Sequence, residues 1–254
     1  MRLGGAHAIV TGGGTGIGAA IARALSAEGA RLTLVGRRRE PLEAVAASLR
    51  GAAHVAPADV TKREEVDGAF AAAREANGPI TLLINNAGAA ASSPFARLDM
   101  ASWHSTMAVN LEALVHCCQA ALPDLLDADA GRIVTIASTA GLKGYGYTAA
   151  YVAAKHGAIG LMRALAAESA RSRMTVNAVC PGFTDTDIVA DAMRTISDKT
   201  GRSEAEARSE LARFNPQGRL VEPAEVASAV LWLCLPESGA VTGQAIAVAG
   251  GEVT

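Results

Sequence analysis

An apolar strand that runs into a cluster of glycines and emerges as an alanine-rich helix leaves few folds open. Here Ala8 to Val10 leads into Thr11-Gly12-Gly13-Gly14-Thr15-Gly16-Ile17-Gly18, and the helical pattern starts at once. Strand, glycine turn and helix in that order are the setting of a dinucleotide phosphate site. Gly12 permits a tight turn, Gly16 lets the backbone approach a pyrophosphate, and Gly18 lets the helix pack on the strand. The helix N-terminus offers unpaired N–H groups and a positive dipole end to phosphate oxygens. Gly14, Thr15 and Ile17 complete the candidate cofactor-facing turn. The spacing is Gly-x-x-x-Gly-x-Gly, not the Gly-x-Gly-x-x-Gly of the commoner fingerprint.

The rest of the chain keeps the same alternation. "RLTLV", "AHVAPAD", "ITLLINNAG", "GRIVTIAS", "MTVNAVCPG" and "GQAIAVAGG" read as six further strands, with helical patterns between them. Such alternation predicts a doubly wound, mainly parallel seven-stranded sheet with helices on both faces, an α/β Rossmann fold. Pro41 fits the first turn of the second helix. Thr61 is expected to cap the third, beginning near Lys62. A long helix is expected over about 101–126, and another over 148–171. A polar, helix-prone segment at 184–219 interrupts the alternation. The length of 254 residues suits a single domain spanning 1–254.

Composition narrows the function classes. A net charge of −2 gives no argument for nucleic acid or an anionic membrane surface. No run approaches eighteen apolar residues, so no membrane span is expected. The first strand begins so early that no signal peptide is expected. Cys117, Cys118, Cys180 and Cys234 lack metal-ligand spacing and read as buried thiols of a reducing, cytoplasmic compartment. The five histidines are scattered, so no metal site is expected.

Chemistry concentrates at Ser138, Tyr151 and Lys155. A Tyr and a Lys four apart on a helix share one face. An ammonium beside a phenol favours the phenolate and lowers its pKa, so Tyr151 could exchange a proton with an alcohol or carbonyl. Ser138 follows the fifth strand, at the carboxyl edge where α/β ligands bind. Its hydroxyl could stabilise charge developing on a substrate oxygen. Asn110 stands inside a predicted helix, where asparagine is locally unfavourable, a hint of a task.

Thr11-Gly12-x-x-x-Gly16-x-Gly18, Asp59, Asn85-Asn86-Ala87-Gly88, Asn110, Ser138, Tyr151-x-x-x-Lys155 and Pro181-Gly182 stand in one order with matched spacings, including thirteen residues from Ser138 to Tyr151. On these residues the chain resembles the short-chain dehydrogenase/reductase family over almost its whole length. The resemblance implies Tyr151 as general acid/base and Ser138 as the residue orienting substrate. It implies that Lys155 lowers the tyrosine pKa and binds the nicotinamide ribose, and that Asn110 holds a water linked to Lys155. Asn86, Ala87 and Gly88 would line the adenosine and ribose side of the cleft, and Asp59 and Val60 would flank the adenine. Pro181, Gly182, Thr184 and Thr186 would hold the nicotinamide carboxamide and phosphate oxygens. The 184–219 segment would be a substrate lid, with Tyr145, Phe183 and Val189 lining the pocket beside Ser138. Members are usually homotetramers, which is the expectation here.

Cofactor choice turns on the end of the second strand. An acid there selects NAD. This chain has Gly36, then Arg37-Arg38-Arg39, and guanidinium forks suit a 2′-phosphate. NADP is therefore the expected cofactor, with Arg37 and Arg38 as its selectors and NAD as the other possibility. The expected substrate is a small carbonyl or alcohol, with an acyl thioester as the form the resemblance implies, since the pattern looks most like 3-oxoacyl thioester reductases and hydroxyacyl dehydrogenases. Two alternatives stand beside this: an NAD-dependent alcohol, sugar or steroid dehydrogenase, and a nucleotide-sensing Rossmann regulator. Arg194, Lys199, Arg202, Arg208 and Arg213 of the lid could meet phosphates of a carrier. Interleaved acids favour a solvated amphipathic face instead.

Overall fold

The computed structural model describes residues 1–253; Thr254 and the Lys199 side chain lie outside the described residues. Seven parallel strands run β1 (His7–Thr11), β2 (Arg31–Gly36), β3 (Ala53–Pro57), β4 (Leu82–Asn85), β5 (Arg132–Ile136), β6 (Thr175–Pro181) and β7 (Ala245–Val248). They form one sheet in the order β3-β2-β1-β4-β5-β6-β7. The winding reverses between β1 and β4, which places the loop after β1 beside the loop after β4. The carboxyl side of such a switch point is where open α/β sheets bind ligands.

Period-two alternation along the strands divides the core. Ala8 and Val10 point to one face, with α1 (Gly16–Ala27), α2 (Arg39–Ala47) and α9 (Pro223–Cys234). Ile9 points to the other, with α3 (Arg63–Asn77), α5 (Ala113–Asp127) and α6 (Ala149–Glu168). β1, β5 and β6 are buried along their whole length, as expected of strands covered on both faces. The four cysteines are buried and free. Among the described residues no group of His, Cys, Asp or Glu gathers to hold a metal, and no helix is long and apolar enough to cross a membrane.

Two local expectations change. Thr61 does not cap α3. Its hydroxyl donates to Asp59 Oδ1 at 2.8 Å, and its N–H donates to the same oxygen at 3.0 Å. Asp59 therefore closes a turn, and α3 starts two residues later, at Arg63. The long helix expected over 101–126 is not uniform either. α4 (Met100–Met107) passes into a π-turn at Ala108–Glu112 before α5. Single π-turns inside helices recur at functional sites, and Asn110 sits at the middle of this one.

Candidate active site

The glycine loop has the shape a diphosphate needs. Gly12 and Gly16 hold positive φ, +62° and +49°, a region other residues rarely enter. A Cβ on Gly18 would lie 2.2 Å from the Gly12 carbonyl oxygen, so the first turn of α1 closes onto the loop only with glycine there. Thr15 stands at the N-cap of α1 with no side-chain cap bond, leaving the helix N–H groups open. Gly14 lies against Pro41 and Leu42 of α2, and a Cβ on Gly16 would touch Thr186 at 3.1 Å. Ile17 is half-buried against the α1 core. A cradle that a single Cβ would fill, at an uncapped helix N-terminus, fits a dinucleotide pyrophosphate.

The β4 exit braces this cradle. Asn86 donates from Nδ2 to the carbonyls of Thr11 (2.9 Å) and Gly12 (3.1 Å). The buried Thr11 hydroxyl accepts from the N–H groups of Asn86 (2.9 Å) and Ala87 (3.0 Å). The Asn86 amide, expected to face the cofactor, is thus engaged in holding the loop. Thr11, read from sequence only as a family mark, proves to be the post that ties β1 to β4. The Val60 side chain is buried in the cluster that holds Val66 and Phe70 and does not line the hollow beyond the ends of β2 and β3.

That hollow is lined by Arg37, Pro57, Ala58, Asp59, Lys62 and Glu65, at the carboxyl ends of β2 and β3. Lys62 is paired with Glu65 at 2.8 Å. Hydrogen bonds from Thr61 outweigh burial and hold the Asp59 carboxyl below its usual range, with Arg37 adding to the effect. Arg37 and Arg38 are exposed, whereas Arg39 turns along α2 to Glu43 at 3.3 Å. Gly36 supplies no acid at the end of β2.

The residues expected to do chemistry converge at the ends of β4, β5 and α6. Lys155 is buried, and its ammonium donates to the Ile136 carbonyl at 3.0 Å. Burial pulls its pKa down to about 8. Asn110, 1% exposed, donates from Nδ2 to the carbonyls of Ala89 (2.9 Å) and Thr106 (3.0 Å). Gly88 lies between the two: a Cβ there would be 2.9 Å from Asn110 Oδ1 and 3.6 Å from Lys155 Nζ. Ser138 accepts from the Ala140 N–H at 3.1 Å. Burial raises the pKa of the Tyr151 phenol, and the nearby Ser138 hydroxyl acts in the opposite direction without overcoming it. The Lys155 ammonium is 5.5 Å from the Tyr151 ring centre. In this arrangement the lysine gives its hydrogen bond to the Ile136 carbonyl and stands over the Tyr151 ring, not at its hydroxyl.

Beyond β6, Pro181 ends the strand, Gly182 donates to Val248 O at 3.1 Å, and Thr184 bonds back to Gly182 O at 3.0 Å. Thr186 donates to Thr184 O at 3.2 Å and begins α7 (Asp187–Thr200). α8 (Glu204–Ala212) follows. Val189, expected to face substrate, is 7% exposed and packs with Met193, Leu211 and Leu220 in a small core shared by α7 and α8. Phe183 packs at the edge of that core. Most arginines of the 184–219 segment are paired nearby: Arg194 with Asp191, Arg202 with Glu210, and Arg208 with Asp185 at 2.6 Å. Tyr145 bonds the Thr139 hydroxyl at 2.6 Å and the Glu252 carboxylate, and burial with that carboxylate pushes its pKa up.

A switch-point cradle for a dinucleotide above a Ser, Tyr and Lys cluster defines a nucleotide-dependent oxidoreductase. The family described as short chain dehydrogenase matches residues 6–197. The chain is 39% identical to a putative ketoacyl reductase of Streptomyces coelicolor, over 96% of this chain and 95% of that one. Among solved structures, actinorhodin polyketide ketoreductase crystallised with NADPH as a Phe→Trp variant superposes with a TM-score of 0.93 at 38% identity, covering 97% of both chains. Levodione reductase superposes with a TM-score of 0.93 at 30% identity, covering 99% of this chain and 98% of that one. The chain belongs to the short-chain dehydrogenase family, and it is an oxidoreductase of CH–OH and ketone groups that uses a nicotinamide cofactor.

Proposed function

We propose that the protein is an NADPH-dependent ketoreductase. The observation that carries this reading is the meeting of Ser138, Tyr151 and Lys155 at the carboxyl edge, with Asn110 and Gly88 packed beside the lysine. When bound, the nicotinamide supplies or accepts the hydride at the carbonyl carbon. Ser138 donates a hydrogen bond to the substrate oxygen, and Tyr151 gives that oxygen its proton. The protonated phenol is the form that can give a proton to the carbonyl oxygen as hydride arrives. Lys155, with a pKa near 8, is poised to return the proton and to turn from Ile136 O to a ribose hydroxyl. Gly12, Gly14, Thr15, Gly16, Ile17 and Gly18 would hold the pyrophosphate. Ala87 and Gly88 would lie along the ribose, and Pro181, Gly182, Thr184 and Thr186 along the carboxamide.

NADPH is favoured over NADH because Gly36 places no carboxylate beside the ribose hydroxyls, while Arg37 lines the hollow and Arg38 follows Arg37 in the chain. Relatives named as ketoacyl and polyketide ketoreductases support a ketone-bearing acyl substrate. The pairing of the lid arginines favours an apolar substrate body over a phosphate-bearing carrier at the lid. We also propose α7 and α8 as the substrate lid and a cytoplasmic homotetramer as the working form. The exposed edge strand β7, and Trp232 at 46% exposure on α9, leave an apolar surface for a partner subunit. The decisive test follows absorbance at 340 nm with NADPH or NADH and a panel of ketones, alongside the mass in solution. Turnover with NADPH and a ketone is expected. A protein that binds the cofactor tightly yet reduces no carbonyl would be a nucleotide sensor instead.

A further inference from the structure

Glu252 lies nearly a hundred residues beyond Lys155, yet its carboxylate enters the loop that joins Ser138 to Tyr151. Its side chain is 1% exposed. Oε1 accepts from the Tyr145 hydroxyl and from the Lys143 ammonium, the latter at 3.1 Å. Lys143 also stands 5.0 Å over the Tyr145 ring. The same Tyr145 hydroxyl shares a 2.6 Å bond with Thr139, the neighbour of Ser138. The other oxygen, Oε2, is buried without a hydrogen bond and lies against Gly182, where a Cβ would come within 2.9 Å. The tail reaches this place because Gly250 and Gly251 take φ of +59° and +92°, and a Cβ on Gly250 would lie 1.9 Å from Asn215 Oδ1. The chain thus threads between the β6 exit and the base of the lid. A carboxylate is expensive to bury unless it is paired; here Lys143 pairs it, and its lone pairs orient a phenol.

That phenol belongs to an aromatic group. Tyr145 meets Phe183 edge-on, with centroids 6.1 Å apart and planes at 87°. It meets Phe214 at 5.8 Å, and Phe183 and Phe214 are 5.1 Å apart. Phe183 follows Gly182, and Phe214 lies in the turn two residues beyond α8, so the three rings bridge the Ser138–Tyr151 loop and the α7–α8 segment. Aromatic pairs of this geometry hold each other in place and offer a flat apolar face.

We propose that Glu252 is a positioning residue for substrate selection. It fixes Tyr145 against Phe183 and Phe214, and the resulting aromatic wall makes the enzyme favour ketones carrying a ring beside the carbonyl over short acyclic ones. This rests on the ketoreductase reading above.

The test compares two ketones, bicyclic β-tetralone and acyclic diethyl ketone, in the NADPH-loaded enzyme. Glu252→Ala is expected to lower the ratio of kcat/KM for β-tetralone over diethyl ketone by about 10-fold, the size of a lost apolar contact in a specificity pocket. The change should sit in KM for the bicyclic ketone. Tyr145→Phe, which keeps the ring but loses the hydroxyl, should produce the same shift, and the double variant should add nothing further. Glu252→Gln retains an oxygen for the phenol and should restore most of the ratio. A readout apart from turnover is the affinity of the NADPH complex for β-tetralol, a pair that cannot react. Its dissociation constant should rise in Glu252→Ala and recover in Glu252→Gln. Thermal unfolding of each variant separates loss of fold from loss of selection. Additive effects of the two substitutions, or equal losses for both ketones in a folded variant, overturn the role of Glu252. A wild-type enzyme that reduces neither ketone and does not bind β-tetralol overturns the ketoreductase reading and this inference with it.

Discussion

The Lys155 ammonium stands 5.5 Å from the centre of the Tyr151 ring and gives its hydrogen bond to the Ile136 carbonyl, so the two groups share a cleft without sharing a proton contact. Burial raises the Tyr151 pKa, and Ser138 acts against it. Tyr151→Phe keeps the ring and removes the transferable proton. Turnover should fall by about 10²–10⁴-fold, the usual range for a general acid, while the NADPH dissociation constant stays near wild type because the glycine loop is untouched. Near-normal turnover in this variant would remove Tyr151 from the mechanism.

The depressed pKa of Lys155 makes a stability prediction with a definite sign. Burial lowers it from 10.5 to about 8 in the folded chain. Between those values the unfolded chain binds more protons than the folded one, so the contribution of Lys155 to stability rises as pH climbs from about 8 to 10.5 and is lost as pH falls back through 8. Lys155→Met carries no such titration. In cofactor-free protein, the unfolding free energy of the variant minus that of wild type should be largest below pH 8 and shrink towards pH 10.5. Urea titrations at several pH values measure it, and a difference that is flat across the window contradicts a buried ammonium.

Asn110 offers a separate test, because its side chain ties the π-turn to the β4 exit through Ala89 and Thr106. Asn110→Ala leaves two carbonyls without that donor and should cost about 1–3 kcal/mol, the penalty for unsatisfied buried polar groups. The loop carrying Gly88 should then drift from Lys155, lowering kcat more than it raises the KM for NADPH. Denaturant midpoints and steady-state kinetics on one preparation separate the two effects.

How much of this is legible in the sequence depends on how local the signal is. The parallel sheet follows from the alternation of apolar runs with helical patterns, and the demand for glycine at residues 12, 16 and 18 follows from a turn that a Cβ would block. Thr61 misleads because a β-exit threonine before a helix looks like a cap, whereas Asp59 captures its hydroxyl. The π-turn is invisible, since Ala108 to Glu112 carries an ordinary helical composition. Val189 shows the limit of assigning a substrate contact by position: the α7–α8 pair is large enough to need its own core, and Val189 packs into it. Glu252 escapes a sequence reading for a different reason. Its partners are more than a hundred residues earlier, and nothing near a glycine-rich tail marks an acid as buried.

The cofactor preference is the prediction most open to refutation. Arg37 borders the hollow that also holds Asp59 and Glu65, so a 2′-phosphate would meet both signs of charge there. Glu65 is neutralised by Lys62, whereas Asp59 is bonded only by the neutral Thr61 N–H and hydroxyl and stays a carboxylate near Arg37, so the phosphate must out-compete Asp59 for the guanidinium. Gly36→Asp with Arg37→Ile introduces a carboxylate that repels the phosphate and accepts from ribose hydroxyls. A charge-assisted hydrogen bond is worth about 1.5–3 kcal/mol, so the ratio of NADPH to NADH affinity should fall by roughly 10–150-fold. Both dissociation constants should be measured at one fixed ionic strength, because screening weakens the exposed arginine more than a buried group. If wild type already binds NADH more tightly than NADPH, then Arg37 and Arg38 point to solvent, and the selection lies with the backbone at Gly36 and with Asp59.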